Sequence, residues 1–208
     1  MIKKLQWNYL FNFYLLLSIC NLHPAIYFSQ QLSNSELDTC KVYQSLTEAL
    51  KSPENVYILD LSRKKIKVFP VEILTLKNLQ KLNLFKNKLD SIPVNIHHLK
   101  FLQFLNIGKN KLSTFPDGIT KLENLKSLIL NQNEITSIPD NIDGLYNLEY
   151  LDMWSNNLTF ISDNIKFLTQ LKELDLRVII FSNEEKDRIK SLLPGAKVYF
   201  SNSCNCGY

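Results

Sequence analysis

Leu79, Leu82, Leu84, Asn87, Leu89, Ile92, Pro93, Ile96 and Leu99 return 23 residues later as Leu102, Leu105, Ile107, Asn110, Leu112, Phe115, Pro116, Ile119 and Leu122. The same frame runs on from Leu125 to Leu145 and again from Leu148 to Leu168. Self-similarity at a fixed period of this length is the mark of a stacked solenoid. One unit is too small to bury its own apolar side, so neighbouring units share a continuous core and leave a long open surface. Such a surface suits recognition.

Within each unit, Leu82 and Leu84 and their equivalents alternate with variable positions, the period of a short strand with one buried face. Leu59 and Leu61, Leu105 and Ile107, Leu128 and Leu130, Leu151 and Met153, and Leu174 and Leu176 complete a set of six such strands, expected to stack in parallel. Asn87, Asn110, Asn133 and Asn156 fall in the turn leaving each strand, where an amide both donates to and accepts from the backbone of adjoining turns. Lys64 and Ile179 take that place at the two ends of the column. Pro70, Pro93, Pro116 and Pro139 set an extended or turn conformation on the return path. Ser162 stands there in the fifth unit, which predicts a looser turn.

These residues resemble the 23-residue class of leucine-rich repeat proteins, over residues 56 to about 181. The resemblance implies an α/β solenoid: a horseshoe with the parallel sheet on its concave face and helical caps at both ends. It implies a general role in protein recognition and no catalytic residues.

The expected organisation has a signal peptide over residues 1–29, an N-terminal helical cap over 30–55 and about six repeats over 56–181. A helix-strand cap follows over 182–203, with a tail over 204–208. Lys3 and Lys4 precede an uncharged run from Leu5 to Gln30, the opening of a secretory signal. The same stretch is almost long enough to be retained as an anchor, and Leu17-Ser18-Ile19-Cys20 resembles a lipoprotein box. Membrane association is therefore expected only if residues 1–29 are retained or Cys20 is acylated. The protein is read as secreted or at the cell surface of a bacterium, with a cytoplasmic location as the alternative. Ser45 to Leu50 reads as a short helix presenting Leu46, Ala49 and Leu50, and a second helix opens at Ser182 and stops at Pro194-Gly195 before a strand over Ala196 to Phe200.

Removing residues 1–29 leaves 22 basic against 20 acidic side chains, a balance that implies no polyanion and no nucleic-acid partner. Cys40, Cys204 and Cys206 would survive processing. Stacking of six coils about 5 Å apart separates Cys40 from the other two, so an internal disulfide, if formed, is expected between Cys204 and Cys206.

The strand register exposes three columns of variable residues: Ile58, Lys81, Phe104, Ser127, Tyr150 and Glu173; Asp60, Asn83, Asn106, Ile129, Asp152 and Asp175; and Ser62, Phe85, Gly108, Asn131, Trp154 and Arg177. Folding does not demand aromatics here, and aromatics are enriched where partners dock. Lys81, Phe85, Phe104, Tyr150, Asp152, Trp154 and Asp175 are accordingly the candidate partner-binding residues, with the patch around Trp154 the strongest. Lys81, Lys86, Lys88, Lys109 and Lys111 against Glu149, Asp152, Glu173 and Asp175 give the face a charge gradient along the repeats. His97 and His98 have no acid or cysteine at ligand spacing, and the chain carries neither a nucleophile motif nor a phosphate loop. No catalytic residue, cofactor or metal site is read. The expected function is noncatalytic binding of a protein ligand of unknown identity through the concave face. The alternatives are an effector-like regulator of host or intracellular signalling proteins and a membrane-anchored surface adhesin.

Overall fold

A computed structural model describes residues 31–201. The signal-peptide and lipoprotein readings, which fall on residues 1–29, lie outside the described residues, as do Cys20, Cys204, Cys206 and the tail.

Eight parallel strands form one sheet in simple sequential order. They are β1 (Val42–Tyr43), β2 (Ile58–Asp60), β3 (Lys81–Asn83), β4 (Phe104–Asn106), β5 (Ser127–Ile129), β7 (Tyr150–Asp152), β9 (Glu173–Leu176) and β10 (Lys197–Phe200). Strands β6 (Ser137–Ile138) and β8 (Phe160–Ile161) pair separately on the return path. The register aligns Leu59, Leu82, Leu105, Leu128, Leu151 and Leu174 as direct neighbours, each wholly removed from solvent. Burying such a side chain is worth about 1.5 to 3 kcal/mol, and this row repeats through every coil, so the aliphatic ladder dominates the energetics. One cluster runs from Tyr43 to Leu193. The sequence reading foresaw the six central strands and β10. It missed β1, two residues long with only Tyr43 buried.

The asparagine column acts as the sequence predicts. Asn133 donates from Nδ2 to the carbonyls of Ile107 (3.1 Å) and Leu130 (2.9 Å), and its Oδ1 accepts from the Leu112 amide (3.0 Å). Asn87, Asn110 and Asn156 repeat the pattern on their own neighbours. Unpaired, each such backbone group would cost about 1 to 3 kcal/mol. Immediately before this column the chain turns through a left-handed residue in every coil: Arg63, Lys86, Lys109, Gln132, Ser155 and Val178, with φ between 52° and 62°. That conformation carries the backbone out of the sheet.

At Ser162 the expectation of a looser turn is overturned. The Ser162 amide donates to the Ile138 carbonyl (3.1 Å), its Oγ donates to Asp140 (2.5 Å) and accepts from the Asn164 amide (3.2 Å). Proline has no N–H for the first of these bonds, so serine ties the turn more tightly to its neighbour.

Two short helices precede the repeats. The helix α1 (Asn34–Leu37) was not foreseen, although Ser33 and Glu36 form a reciprocal capping box, Ser-x-x-Glu, that is legible in sequence. The expected helix at Ser45 is the single turn α2 (Leu46–Ala49), capped by Ser45 and burying Ala49 fully. At the other end α3 (Asn183–Leu192) buries Ile189 and is followed by Leu193, also buried. Arg188 anchors this helix to the fifth coil, donating to the Ile161 carbonyl (2.8 Å) and pairing with Asp163 and Glu185.

Cys40 is disulfide-bonded. This corrects the expectation that Cys40 takes no part in an internal bond; the pairing expected between Cys204 and Cys206, should an internal bond form, lies outside the described residues. Every other cysteine of the chain lies outside the described residues.

Candidate functional site: the open face of the sheet

The three variable columns lie on adjacent strands in the register expected, but their residues do different work. In the second column the side chains serve the chain itself. Asp60, Asn83, Asn106, Asp152 and Asp175 each accept, through one side-chain oxygen, the amide of the residue two places on, at 2.8 to 3.0 Å. These Asx turns close the strand ends. The Asp/Asn run in five of six places is the signal that could have revealed them. Ile129 is the exception, and beside it Asn131 reaches from Nδ2 to Asp152 Oδ2 on the next coil (2.6 Å). Asn131 also lies over Gly108, where an added Cβ would come within 2.3 Å of its Oδ1.

Asp152 and Asp175, both sequence candidates for partner contact, are thus buried and engaged internally. Arg177 clasps Asp175 through Nε (3.0 Å) and Nη2 (2.5 Å). Burial pushes the Asp152 carboxyl above its ordinary value, with the Asp175 charge adding to the rise, while the Trp154 amide and Asn131 oppose it. Burial and the charges of Asp152, Asp175 and Glu173 likewise raise the Tyr150 phenol. At neutral pH that phenol is protonated and able to donate.

Phe85, Phe104, Tyr150 and Trp154 are all half-buried. Among the described residues none of them makes a ring–ring contact, so they do not shield one another. Phe104 and Tyr150 flank Ser127 on successive strands. With Asn34, Asp38, Lys81, Gln103, Lys126 and Glu149 these three line a recess of about 400 Å³. Phe85 and Trp154 stand three strands apart in the outer column, with Gly108 and Asn131 between them, and the structure does not bring them together.

The early end of the face is already occupied. Leu32 is held through its backbone by two buried glutamines: its amide donates to Gln80 Oε1 (2.9 Å), and its carbonyl accepts from Gln103 Nε2 (2.7 Å). Gln103 Nε2 also donates to Gln80 Oε1 (2.8 Å), so the pair works as one clasp. Leu32, Leu37 and Cys40 pack on Tyr57 and Ile58, and Asp38 forms an ion pair with Lys81 (3.1 Å). Lys81, a candidate contact, is therefore engaged by the chain's own N-terminal segment. Gln80 and Gln103 were missed because they immediately precede the strands, outside the three columns of variable residues read on the sheet face.

The charge gradient is likewise redistributed. Glu149 pairs with Lys172, Glu173 accepts from the Tyr199 hydroxyl (3.2 Å), and Asp175 is paired with Arg177. Lys86, Lys88, Lys109 and Lys111 lie on the turns beyond the strands rather than on the sheet face. Among the described residues no group of three His, Cys, Asp or Glu side chains is placed to hold a metal ion, and no helix is long and apolar enough to cross a membrane. His97 instead directs Nδ1 at the Val94 carbonyl (2.7 Å).

A sequential parallel sheet on one side, turns with an internal asparagine ladder, and short 3-10 segments on the return path define a leucine-rich repeat solenoid, a class that generally works as a noncatalytic protein-interaction module. A family model described as a leucine-rich repeat region matches residues 44–194, and the chain belongs to that family. Among solved structures, it is similar to the leucine-rich repeat protein LIC12759 of Leptospira interrogans, with 32% identity and a TM-score of 0.63. That match covers 79% of this chain and 50% of the other, so the chain spans about half the length of that relative. The ectodomain of the Arabidopsis thaliana receptor kinase GASSHO1/SCHENGEN3, solved in complex with Casparian strip integrity factor 2, shares 28% identity. Its TM-score is 0.56, over 71% of this chain and 18% of that one. The leucine-rich repeat domain of APL1B, at 19% identity and a TM-score of 0.55, covers 74% of this chain and 43% of its own and shows the fold alone. No curated protein matches the chain.

Proposed function

We propose that the protein is an exported, noncatalytic binding module that takes a protein ligand on the middle of its concave face. The observation that carries this reading is the recess between Phe104 and Tyr150, where half-exposed aromatics stand unstacked beside a segment that already covers the earlier strands. Aromatic side chains supply contact area at low entropic cost, and unshielded ones on a solvent-facing sheet are what a docking partner uses. The Arabidopsis relative, solved with its bound factor, supports the use of such a scaffold for capture.

Export is supported by the basic start and apolar run of residues 1–30 and by the disulfide at Cys40, since such bonds persist in oxidising compartments. Similarity to the Leptospira protein supports a bacterial setting. An effector-like regulator and a membrane-anchored adhesin are finer forms of the same module, separated by where the mature chain fractionates.

The test is capture from bacterial surface material and from eukaryotic cell extract by wild type and by the double variant Phe104→Ala, Tyr150→Ala, with Trp154→Ala in parallel. Proteins retained by wild type and lost from the variants, at matched melting temperatures, support the reading. An unchanged set of captured proteins overturns it.

A further inference from the structure

The edge of the solenoid formed by the turns leaving the strands carries a concentration of charge that the overall balance conceals. Arg63, Lys86 and Lys109 occupy the left-handed position of three successive coils. Lys65, Lys88 and Lys111 follow two residues later, and backbone bonds stack them coil upon coil, from Lys88 to Ile66 and from Lys111 to Leu89. Lys64 and Lys67 flank the first coil. All of these side chains are exposed, and among the described residues none has an ion pair or a side-chain hydrogen bond. The coils lie about 5 Å apart, so the cations are closer to one another than a Debye length of about 10 Å at 0.1 M salt. Asp90, exposed, lies at the margin, and the exposed Glu134 succeeds Lys111 in the second row and ends its run of cations.

The same two rows continue through Gln132 and Ser155 to Val178, and through Glu134 and Asn157 to Ile180. Val178 is 59% exposed and Ile180 98% exposed. One edge thus runs from cationic to apolar. We propose that this edge docks the protein on an anionic lipid bilayer, with the lysine rows over the headgroups and Val178 and Ile180 at the interface. Two rows of cations attract an anionic surface, at about fivefold in affinity per side chain near the membrane. The apolar end favours lipid over a soluble polyanion, which offers nothing for Ile180 to enter. The rows contain no aromatic residue on which a nucleobase could stack. The surface is separate from the concave-face recess, so either site can fail without the other.

The test is flotation of the full chain with vesicles of phosphatidylglycerol and phosphatidylcholine in equal parts, against vesicles of phosphatidylcholine alone. Lys3 and Lys4 also favour the anionic vesicles, but their contribution is common to all variants, so the comparison between variants isolates the edge. The expected result is salt-sensitive binding that favours the phosphatidylglycerol vesicles. It should fall roughly several hundredfold in the quadruple variant Lys86→Gln, Lys88→Gln, Lys109→Gln, Lys111→Gln. Glutamine suits the first row, since Gln132 already adopts φ 52° there. Ile180→Ser should weaken vesicle binding without changing its salt dependence. Equal binding to both vesicles, or binding unaltered in the quadruple variant, overturns the proposal. So does retention on heparin or an oligonucleotide, lost in the quadruple variant and indifferent to Ile180→Ser, without vesicle selectivity.

Discussion

Asn131 donates to Asp152 across 2.6 Å and so joins two coils at the one place where the Asx column is broken by Ile129. Asp152 holds the Trp154 amide with its other oxygen. A single carboxylate therefore sets both the inter-coil contact and the turn that carries Trp154. The cost is a buried charge next to that of Asp175.

That cost predicts a pH effect. Burial raises the Asp152 pKa in the folded state, so the folded protein holds this proton to higher pH than the unfolded chain does. The contribution of Asp152 to stability is thus greatest below the ordinary carboxylate range and is lost as pH rises through the raised value. Asp152→Asn should remove this component from the urea midpoint measured between about pH 4 and pH 7, with no loss of stability at neutrality. The amide retains an oxygen for Trp154, and a flipped Asn131 can offer its unpartnered Oδ1 to the new N–H. A pH profile identical to wild type would contradict the assignment.

Val178 adopts φ 62°, a conformation that costs a β-branched residue roughly 1 to 2 kcal/mol. Val178→Asn should raise stability by about 1 kcal/mol, because asparagine tolerates this region. The Val178 amide keeps its bond to Ser201 Oγ in either case. Differential scanning calorimetry reads the shift, and a lowered melting temperature would count against it.

Leu128→Ala, at the centre of the buried ladder, should cost about 2 to 5 kcal/mol through the cavity it leaves. Chemical denaturation measures this directly. A thermally silent variant would place Leu128 outside the shared core.

Gln103→Ala removes the donor to both Leu32 and Gln80. Leaving those buried acceptors short should cost about 1 to 3 kcal/mol locally. Hydrogen exchange should accelerate over residues 32–40 while the amides of the central strands stay protected. Uniform acceleration across the sheet would show instead that the glutamine supports the whole stack.

Much of the architecture was legible in the residues. Each coil meets the same neighbours, so the spacing of Leu82, Leu105, Leu128 and Leu151 is already a statement about contacts, and the Asn87 to Asn156 column one about turns. The serine at position 162 was visible, but its effect was read with the wrong sign, because the gain of one N–H depends on which carbonyl faces it. Phe104 and Tyr150 were legible as outward-facing; the recess they share with Asn34 and Asp38 was not.

The amino-acid order alone determined the solenoid, its parallel sheet and its strand register, because a periodic apolar pattern has one economical way to exclude water. Only the tertiary structure decided what the unique residues do: that Gln80 and Gln103 grip Leu32 across 48 and 71 positions of chain, that Asp152 and Asp175 serve turns, and that Lys86, Lys88, Lys109 and Lys111 lie on the edge rather than the sheet face. Those contacts occur once, between segments with no repeating relation, and no period encodes them.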